Sequence, residues 1–204
     1  MPTMSRTADY TIQGFLYQFN KTLIEVLDSS DDAEVTVEGV IEDIEVSTSS
    51  ETKAIQCKYH ETTKNFTLSL IYKPLLQMMY HFHHYKSAGD VKYVLFVHFP
   101  DKKQAYLLEI KEPEIQEALK SKNKDFITWQ SALRGQIDID EFLKVFSCEW
   151  GASYETLLAG IHSRLENNGI SKEDIETIAY PYAFNTIANL SIKHDSNQRK
   201  ITKK

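Results

Sequence analysis

The chain has 204 residues, of which 42% are apolar and 25% are charged, a balance typical of a globular protein with its own core. No apolar run is long enough to cross a bilayer and the N-terminal residues lack the apolar centre of a signal peptide, so we expect a cytoplasmic protein without a membrane partner. The net charge of −6 excludes a protein that coats nucleic acid by charge alone, although it allows a local acidic site for cations.

The first half of the chain predicts an α/β arrangement. Apolar residues from Tyr10 to Leu27 recur every three or four positions, which predicts an amphipathic helix. The segments EVTVEGV, IEDIEVS and KAIQCKYH then alternate apolar and polar residues and predict three strands, with a Ser/Thr-rich turn between the last two. NFTLSLIYKPLLQMMYHFHHYKS predicts a long buried helix bent near Pro74, VKYVLFVHF predicts a central strand, and QAYLLEI predicts a further strand.

The second half predicts helices, because the strand patterns cease beyond about Glu112. Ser171, in SKEDIE, predicts a helix N-cap. The predicted helices cover residues 114–119, 139–146, 154–167 and 183–192. We therefore expect a core at residues 1–112 and a helical accessory region at residues 113–204 that packs on it. The basic end, KHDSNQRKITKK, is interpreted either as a solvated tail or as the point where a longer natural chain continues.

Polar residues on the second and third predicted strands form a chemical pattern. Gln56 and Lys58 point to the face opposite the apolar Ile55 and Cys57, and Asp43 can lie beside them if the two strands pair. Carboxylate and amide oxygens are ligands for hard cations such as Mg²⁺, with Mn²⁺ as a substitute. An ammonium group stabilises charge that develops on a phosphate. The pattern predicts a metal site for phosphodiester hydrolysis, with Asp43 and Gln56 as metal ligands and Lys58 as the charge stabiliser.

These residues also carry a family resemblance. EDIEV followed by IQCKYH resembles the D…QxK variant of the PD-(D/E)XK nuclease superfamily, with Asp43, Gln56 and Lys58 on the motif positions. Together with GFLYQFNKTLIEVL and VEGVIEDIEV, this half of the chain is similar to effector nuclease domains of bacterial anti-phage systems, including CBASS-associated endonucleases that degrade double-stranded DNA and related Lamassu effectors.

The resemblance implies a fold and an activity. The fold is an α/β, restriction-endonuclease-like mixed sheet flanked by helices, with a C-terminal helical region. The activity is Mg²⁺-dependent cleavage of double-stranded DNA without sequence preference. Control of such a toxic activity implies a homo-oligomer or a regulatory sensor partner.

Several residues around this pattern have open assignments. Gln56 stands where many family members have a glutamate, so we expect another acid to complete the metal site, with Glu38 ranked above Glu25. Gln18, His60 and Lys64 are candidates for contacts with nucleic acid. Two further acids, Glu42 and Glu45, are expected to be solvated, and Glu42 is expected to point away from Asp43 because the two are adjacent on an extended segment.

Two other interpretations of the whole chain stay open. In the first, the chain is a catalytically inactive nuclease-fold module for DNA binding or complex assembly. In the second, it is a helix-rich interaction domain whose acidic strand is only surface. A zinc site at His81 and His84 is disfavoured, since no acid or cysteine nearby completes a ligand set.

Overall fold

A computed structural model describes residues 7–61, 66–85, 90–100 and 109–203. These residues form a six-stranded mixed sheet with helices on both faces. The strands are β1 Glu34–Val37, β2 Ile44–Ser47, β3 Thr52–Tyr59, β4 Val91–His98, β5 Phe146–Trp150 and β6 Lys200–Ile201. Their order across the sheet is β5-β4-β3-β2-β1-β6. The pairs among β6, β1, β2 and β3 are antiparallel, whereas β3, β4 and β5 run parallel. The expected mixed α/β sheet is therefore confirmed.

Eight α-helical segments pack on this sheet in the described part of the chain. They are α1 Thr7–Asp28, α2 Tyr72–Tyr85, α3 Glu112–Lys120, α4 Ile127–Leu133, α5 Ile139–Val145, α6 Tyr154–Asn167, α7 Lys172–Asp174 and α8 Tyr180–Ser191. A 3₁₀ turn at Leu68–Ile71 leads into α2, so the irregularity predicted near Pro74 is a change of helix type just before it. Pro74 lies in the first turn of α2, where its missing N–H leaves no helical hydrogen bond unmade. No described helix combines the length and apolar character that a membrane span requires.

The two faces of the sheet carry separate hydrophobic cores. On one face, Ile55 and Cys57 of β3 pack with α1, α6 and α8. On the other face, Ala54 of β3 packs with α2, α3, α4 and α5. The alternation of β3 thus agrees with the prediction that Ile55 and Cys57 share a buried face opposite Gln56 and Lys58. The fully buried Tyr17 of α1 anchors the first face, where its ring stacks at 4.5 Å on Tyr59.

The expectation that strands cease beyond Glu112 is wrong. β5 begins at Phe146, directly after α5, and pairs with β4, while β6 pairs with β1. Among the described residues, the two edge strands of the sheet therefore come from the second half of the chain. The interpretation of the basic end as a solvated tail fails for the same reason, because Lys200 and Ile201 belong to the sheet.

Two predictions about the organisation of the chain stay predictions. The strand predicted at QAYLLEI lies largely at residues 101–108, outside the described residues. The division of the chain at residue 112 into a core and an accessory region stays a prediction. Helix α6 covers the predicted 154–167, and Ser171 caps α7 by accepting a hydrogen bond from the N–H of Asp174.

Candidate functional site

The candidate site forms where β2 and β3 separate. The ladder between these strands begins at the pair Ile44 and Ile55, so β3 continues past it for four residues without β2 beside it. Asp43 occupies this gap. Its Oδ2 atom accepts a hydrogen bond from the backbone N–H of Cys57 at 2.9 Å and another from the side-chain amide of Gln56. The carboxylate thus satisfies a β3 backbone group that β2 no longer reaches.

The environment of Asp43 disfavours its charge. Burial raises the pKa of its carboxyl to about 6, against an ordinary value of 3.8. The N–H of Cys57 and the ammonium of Lys58 oppose this rise, and the nearby charge of Glu38 adds to it. At neutral pH the site therefore holds a desolvated carboxylate that a cation would stabilise.

Lys58 lies on the same side of β3 as Gln56 and is partly buried. Its charge lowers the pKa of both Asp43 and Glu42, which places the ammonium within electrostatic reach of both acids. Among the described residues, no carboxylate forms an ion pair with Lys58. The structure thus brings Asp43, Gln56 and Lys58 together, while their catalytic and metal-binding roles stay predictions.

Glu38 borders the site through its backbone. It has a positive φ of 50°, which turns the chain sharply after β1. Its N–H donates to the carbonyl of Asp43 at 2.8 Å, and its carboxylate accepts a hydrogen bond from the Gln18 side chain at 2.7 Å. Gln18 is buried in this arrangement, with 6% of its surface exposed. Glu38, a predicted metal ligand, is therefore hydrogen-bonded to Gln18, a predicted nucleic-acid contact.

Arg199 holds the Glu38 turn from the C-terminal segment. Its Nη1 donates to the carbonyl of Glu38 at 2.6 Å and its Nε to the carbonyl of Lys193 at 2.6 Å. We expect Arg199→Ala to lower the free energy of unfolding by about 1–3 kcal/mol, because hydrogen bonds from a charged donor are lost. Urea unfolding measures this change, with the exposed Lys193→Ala as the control, expected within about 0.5 kcal/mol of the wild type. Equal stability of the Arg199→Ala variant and the control would contradict this role.

Glu25 lies in an ion-pair network. Its carboxylate is 2.6 Å from the ammonium of Lys21 and 2.5 Å from that of Lys53, and the residue is 7% exposed. Burial would raise its pKa, but the two ammonium groups outweigh burial and hold the pKa below the ordinary 4.5. Among the described residues, no three His, Cys, Asp or Glu side chains are grouped so that they could hold a metal ion. The structure thus does not gather Asp43, Glu38 and Glu25 into a three-carboxylate site.

We expect Glu25→Gln to destabilise the fold by about 2–4 kcal/mol at pH 7, because it leaves the buried Lys21 without its charge partner. A lowered folded-state pKa means that the wild-type carboxylate adds stability above pH 4.5 and loses it as pH falls through the folded value. The difference between variant and wild type should therefore shrink at pH 3. Urea unfolding at both pH values measures it, with the partly exposed Glu34→Gln as the control. A loss independent of pH would contradict the ion-pair explanation.

Glu42 is the feature that the sequence prediction missed. The expectation that it is solvated is wrong, since only 8% of its surface is exposed. Burial, followed by the charges of Asp43 and Glu45, raises the pKa of Glu42 to about 8, and Lys58 opposes this rise. The cause is local: residues 41–43 form a bend before β2 begins at Ile44, so the alternation of a strand does not apply to them.

The bend is held against the α2 face of the sheet. Ile41 packs on the hydrophobic core of that face, and its N–H donates to Glu45 Oε1 at 2.5 Å. Glu45, also expected to be solvated, is partly buried. A periodic sequence pattern contains no signal for such a bend.

The remaining predicted nucleic-acid contacts have different outcomes. His60 follows the end of β3, and its ring stacks on Phe99 at 4.6 Å. Burial, Lys58 and His98 lower the pKa of His60, which favours a neutral imidazole beside the site. Lys64 lies outside the described residues.

Comparisons with known proteins give structural matches. No protein-family model matches the chain, and no curated protein matches it significantly. The structure is similar to the Acinetobacter baumannii Cap4 SAVED/CARF-domain containing receptor with the cyclic trinucleotide 3′3′3′-cAAA, at a TM-score of 0.57 and 16% identity, covering 99% of this chain and 44% of that chain. The same receptor with 2′3′3′-cAAA gives a TM-score of 0.55 at 16% identity, with 99% and 44% coverage.

The chain shares its fold with part of the Cap4 receptor. A third structure of that receptor gives a TM-score of 0.53 at 15% identity, covering 98% of this chain and 45% of that chain. The chain thus spans less than half the length of the solved structures it matches. The match covers nearly all of this chain, including the half that follows residue 112.

Proposed function

We propose that this chain is a Mg²⁺-dependent endonuclease domain of the restriction-endonuclease-like fold that cleaves double-stranded DNA in anti-phage defence, with Mn²⁺ as an alternative cation. The observation that carries the proposal is the Asp43 carboxylate, which lies beside Gln56 and Lys58 where β2 and β3 separate. A desolvated acid, an amide and an ammonium group at one strand end suit phosphodiester hydrolysis.

A divalent cation fits the donor set at Asp43. Both of its hydrogen bonds end on Oδ2, and no described residue donates to Oδ1. Gln56 donates its NH₂ group to Asp43, so its amide would have to rotate for its oxygen to serve as a second hard ligand for the same cation. When bound, the cation supplies an activated water and neutralises charge on the phosphate.

The residues of the chain perform the other tasks. Asp43 and Gln56 would hold the cation, and Lys58 would stabilise negative charge that develops on the phosphate oxygens. Lys58 suits this task because no described carboxylate engages it in an ion pair. His60, with a lowered pKa, lies two residues further along and offers a neutral imidazole toward bound DNA.

The proposal places the domain under the control of a ligand sensor. The Cap4 receptor was solved with cyclic trinucleotides, and this chain matches less than half of its length. We propose that the nuclease acts with a further domain or partner that senses such a ligand, or through assembly into a homo-oligomer. The fold similarity to a SAVED/CARF-domain receptor supports the defence context that the sequence resemblance implies.

A second candidate function is a catalytically inactive module for DNA binding or complex assembly. Two observations favour it. Glu25 is neutralised by Lys21 and Lys53, and the carboxylate of Glu38 is bonded to Gln18. Both acids proposed to complete the metal site are therefore engaged by other side chains.

Incubation with nucleic acid distinguishes the two candidates. Increasing concentrations of the purified protein are incubated separately with plasmid, linear duplex DNA and RNA. Each substrate is tested in Mg²⁺, Mn²⁺ or EDTA, with and without 3′3′3′-cAAA. The nuclease proposal predicts that the duplex is cleaved in the presence of either cation and that EDTA abolishes this cleavage. DNA binding without cleavage under every condition would support the inactive module.

A further inference from the structure

Residues 38–43 form a short loop whose two ends are hydrogen-bonded to each other. The N–H of Glu38 donates to the carbonyl of Asp43 at 2.8 Å, which fixes the backbone of Asp43 relative to the end of β1. The carboxylate of Asp43 in turn accepts the N–H of Cys57 on β3 at 2.9 Å. The place of this carboxylate beside β3 therefore depends on where Glu38 lies.

Glu38 lies just beyond the part of β1 that strand pairing holds. The ladder between β1 and β2 ends at the pair Val37 and Ile44, and β1 itself ends at Val37. Glu38 then has a φ of 50°, a conformation that residues other than glycine adopt only rarely. Such a backbone conformation persists where surrounding contacts stabilise it. The contacts that hold Glu38 therefore also hold the 38–43 loop.

Arg199 supplies such a contact from the C-terminal segment. Its Nη1 donates to the carbonyl of Glu38 at 2.6 Å, and its Nε donates to the carbonyl of Lys193 at 2.6 Å. The backbone carbonyl of Arg199 also accepts the N–H of Val37 at 3.0 Å. Hydrogen bonds from a charged donor are stronger than those between neutral groups. One residue thus fixes both the end of β1 and the first peptide group of the 38–43 loop.

We propose that Arg199 is a positioning residue of the candidate site, because it holds the Glu38 carbonyl and so keeps the Asp43 carboxylate in the gap beside β3. The inference rests on the proposed function, in which Asp43 binds the cation. Arg199 acts through Glu38, with which its side chain is hydrogen-bonded, and not on the substrate. The segment next to β6 would thereby control the geometry of a site in the first half of the chain.

Single-turnover cleavage of duplex DNA in Mn²⁺ tests the catalytic consequence. We expect Arg199→Ala to lower the rate at saturating DNA by about 10- to 100-fold, because small displacements of positioned groups have effects of this size. DNA affinity, measured by fluorescence anisotropy, should change less than about threefold. Arg199→Lys keeps one charged donor and should recover part of the rate. Arg164→Ala is the matched control and should cleave within about twofold of the wild type.

The control removes an arginine of similar structural importance elsewhere in the fold. The guanidinium of Arg164 contacts the carboxylate of Asp28, the last residue of α1, at 2.6 and 2.7 Å. Its loss should therefore also destabilise the protein without releasing the 38–43 loop. Urea unfolding of both variants shows whether their losses of stability are comparable and whether each is folded under the assay conditions.

Hydrogen exchange in the metal-free protein tests the positioning role without reference to activity. The amides of Glu38 and Cys57 donate to the carbonyl and the carboxylate of Asp43, so both should exchange faster when Asp43 is less well fixed. The reference is the N–H of His60, which donates to the carbonyl of His98 at 3.0 Å. Relative to this reference, we expect exchange to be about fivefold faster or more in Arg199→Ala and unchanged in Arg164→Ala.

The outcomes separate the inference from the function on which it rests. If Arg199→Ala and Arg164→Ala lose the same rate, or if both amides exchange in Arg199→Ala as they do in the wild type, Arg199 does not position Asp43. A loss of DNA affinity with an unchanged rate at saturating DNA would instead make Arg199 a contact to phosphate. If the wild type cuts no DNA, the proposed function fails, whereas the exchange measurement still decides whether Arg199 fixes Asp43.

Discussion

Replacing Lys58 with alanine is expected to reduce metal-dependent DNA cleavage by about 100- to 1000-fold, the range typical for loss of one group that stabilises transition-state charge. We expect the free energy of unfolding to stay close to that of the wild type, because Lys58 has no ion pair with a described residue and is only partly buried. DNA affinity should stay within about threefold, since one phosphate contact among several is removed. Single-turnover cleavage and fluorescence anisotropy measure the two quantities on the same duplex.

Lys92→Ala is the matched control for Lys58→Ala. Lys92 lies on the neighbouring strand β4, is 60% exposed and pairs with Glu51 at 2.6 Å, at the opposite end of the sheet ladder from the site. We expect this variant to cleave at the wild-type rate within a factor of two. Equal rates for Lys58→Ala and Lys92→Ala would contradict a chemical role for Lys58.

Replacing Asp43 with asparagine is expected to abolish cleavage and, in the absence of metal, to stabilise the fold. The folded-state pKa of Asp43 is about 6, above the ordinary 3.8. The folded protein therefore holds this proton to higher pH than the unfolded chain, so stability falls as pH rises from about 4 to about 6 and then stays low. The difference between the two pKa values corresponds to about 3 kcal/mol. Asparagine cannot ionise and can still accept the N–H of Cys57.

Urea unfolding in EDTA measures this effect at two pH values. We expect Asp43→Asn to be about 1–3 kcal/mol more stable than the wild type at pH 7.5, the lower end reflecting partial exposure of the residue. The two proteins should be equally stable near pH 3.5. Asp28→Asn should behave oppositely, because the guanidinium of Arg164 at 2.6 Å lowers the pKa of Asp28. If the Asp43→Asn variant were less stable than the wild type at pH 7.5, the interpretation of the Asp43 carboxylate as uncompensated would be wrong.

The two effects expected for Asp43→Asn, higher stability and loss of cleavage, have one physical cause. A carboxylate placed to bind a cation is under-compensated until the cation arrives, so the site reduces the stability of the metal-free fold. Saturating Mn²⁺ should therefore raise the melting temperature of the wild type but not that of Asp43→Asn.

The sequence predicted those parts of the site that depend on strand periodicity. Gln56 and Lys58 alternate with Ile55 and Cys57, and a buried apolar face fixes the polar face uniquely. The helix with three- and four-residue spacing became α1, and the continuous apolar run became β4. Asp43 could be placed beside these residues because β2 and β3 are neighbours joined by a short turn.

The features that the sequence did not predict depend on tertiary contacts. β5 is a five-residue strand with alternate residues exposed. It follows α5 directly, without Gly, Pro or another turn signal between them, so the sequence pattern did not separate the strand from the helix. Lys53 reaches Glu25 only because α1 packs across β3. Glu42 is buried because a bend, rather than a strand, precedes Ile44. Local periodicity does not record any of these contacts.

A crystal soaked in Mn²⁺ and measured at the manganese absorption edge would locate the cation directly. We predict an anomalous peak about 2.1 Å from the Asp43 carboxylate, in the gap that β2 leaves beside β3, with the Lys58 ammonium next to it. Peaks at other carboxylates with none at Asp43 would contradict a metal-dependent nuclease site at this position.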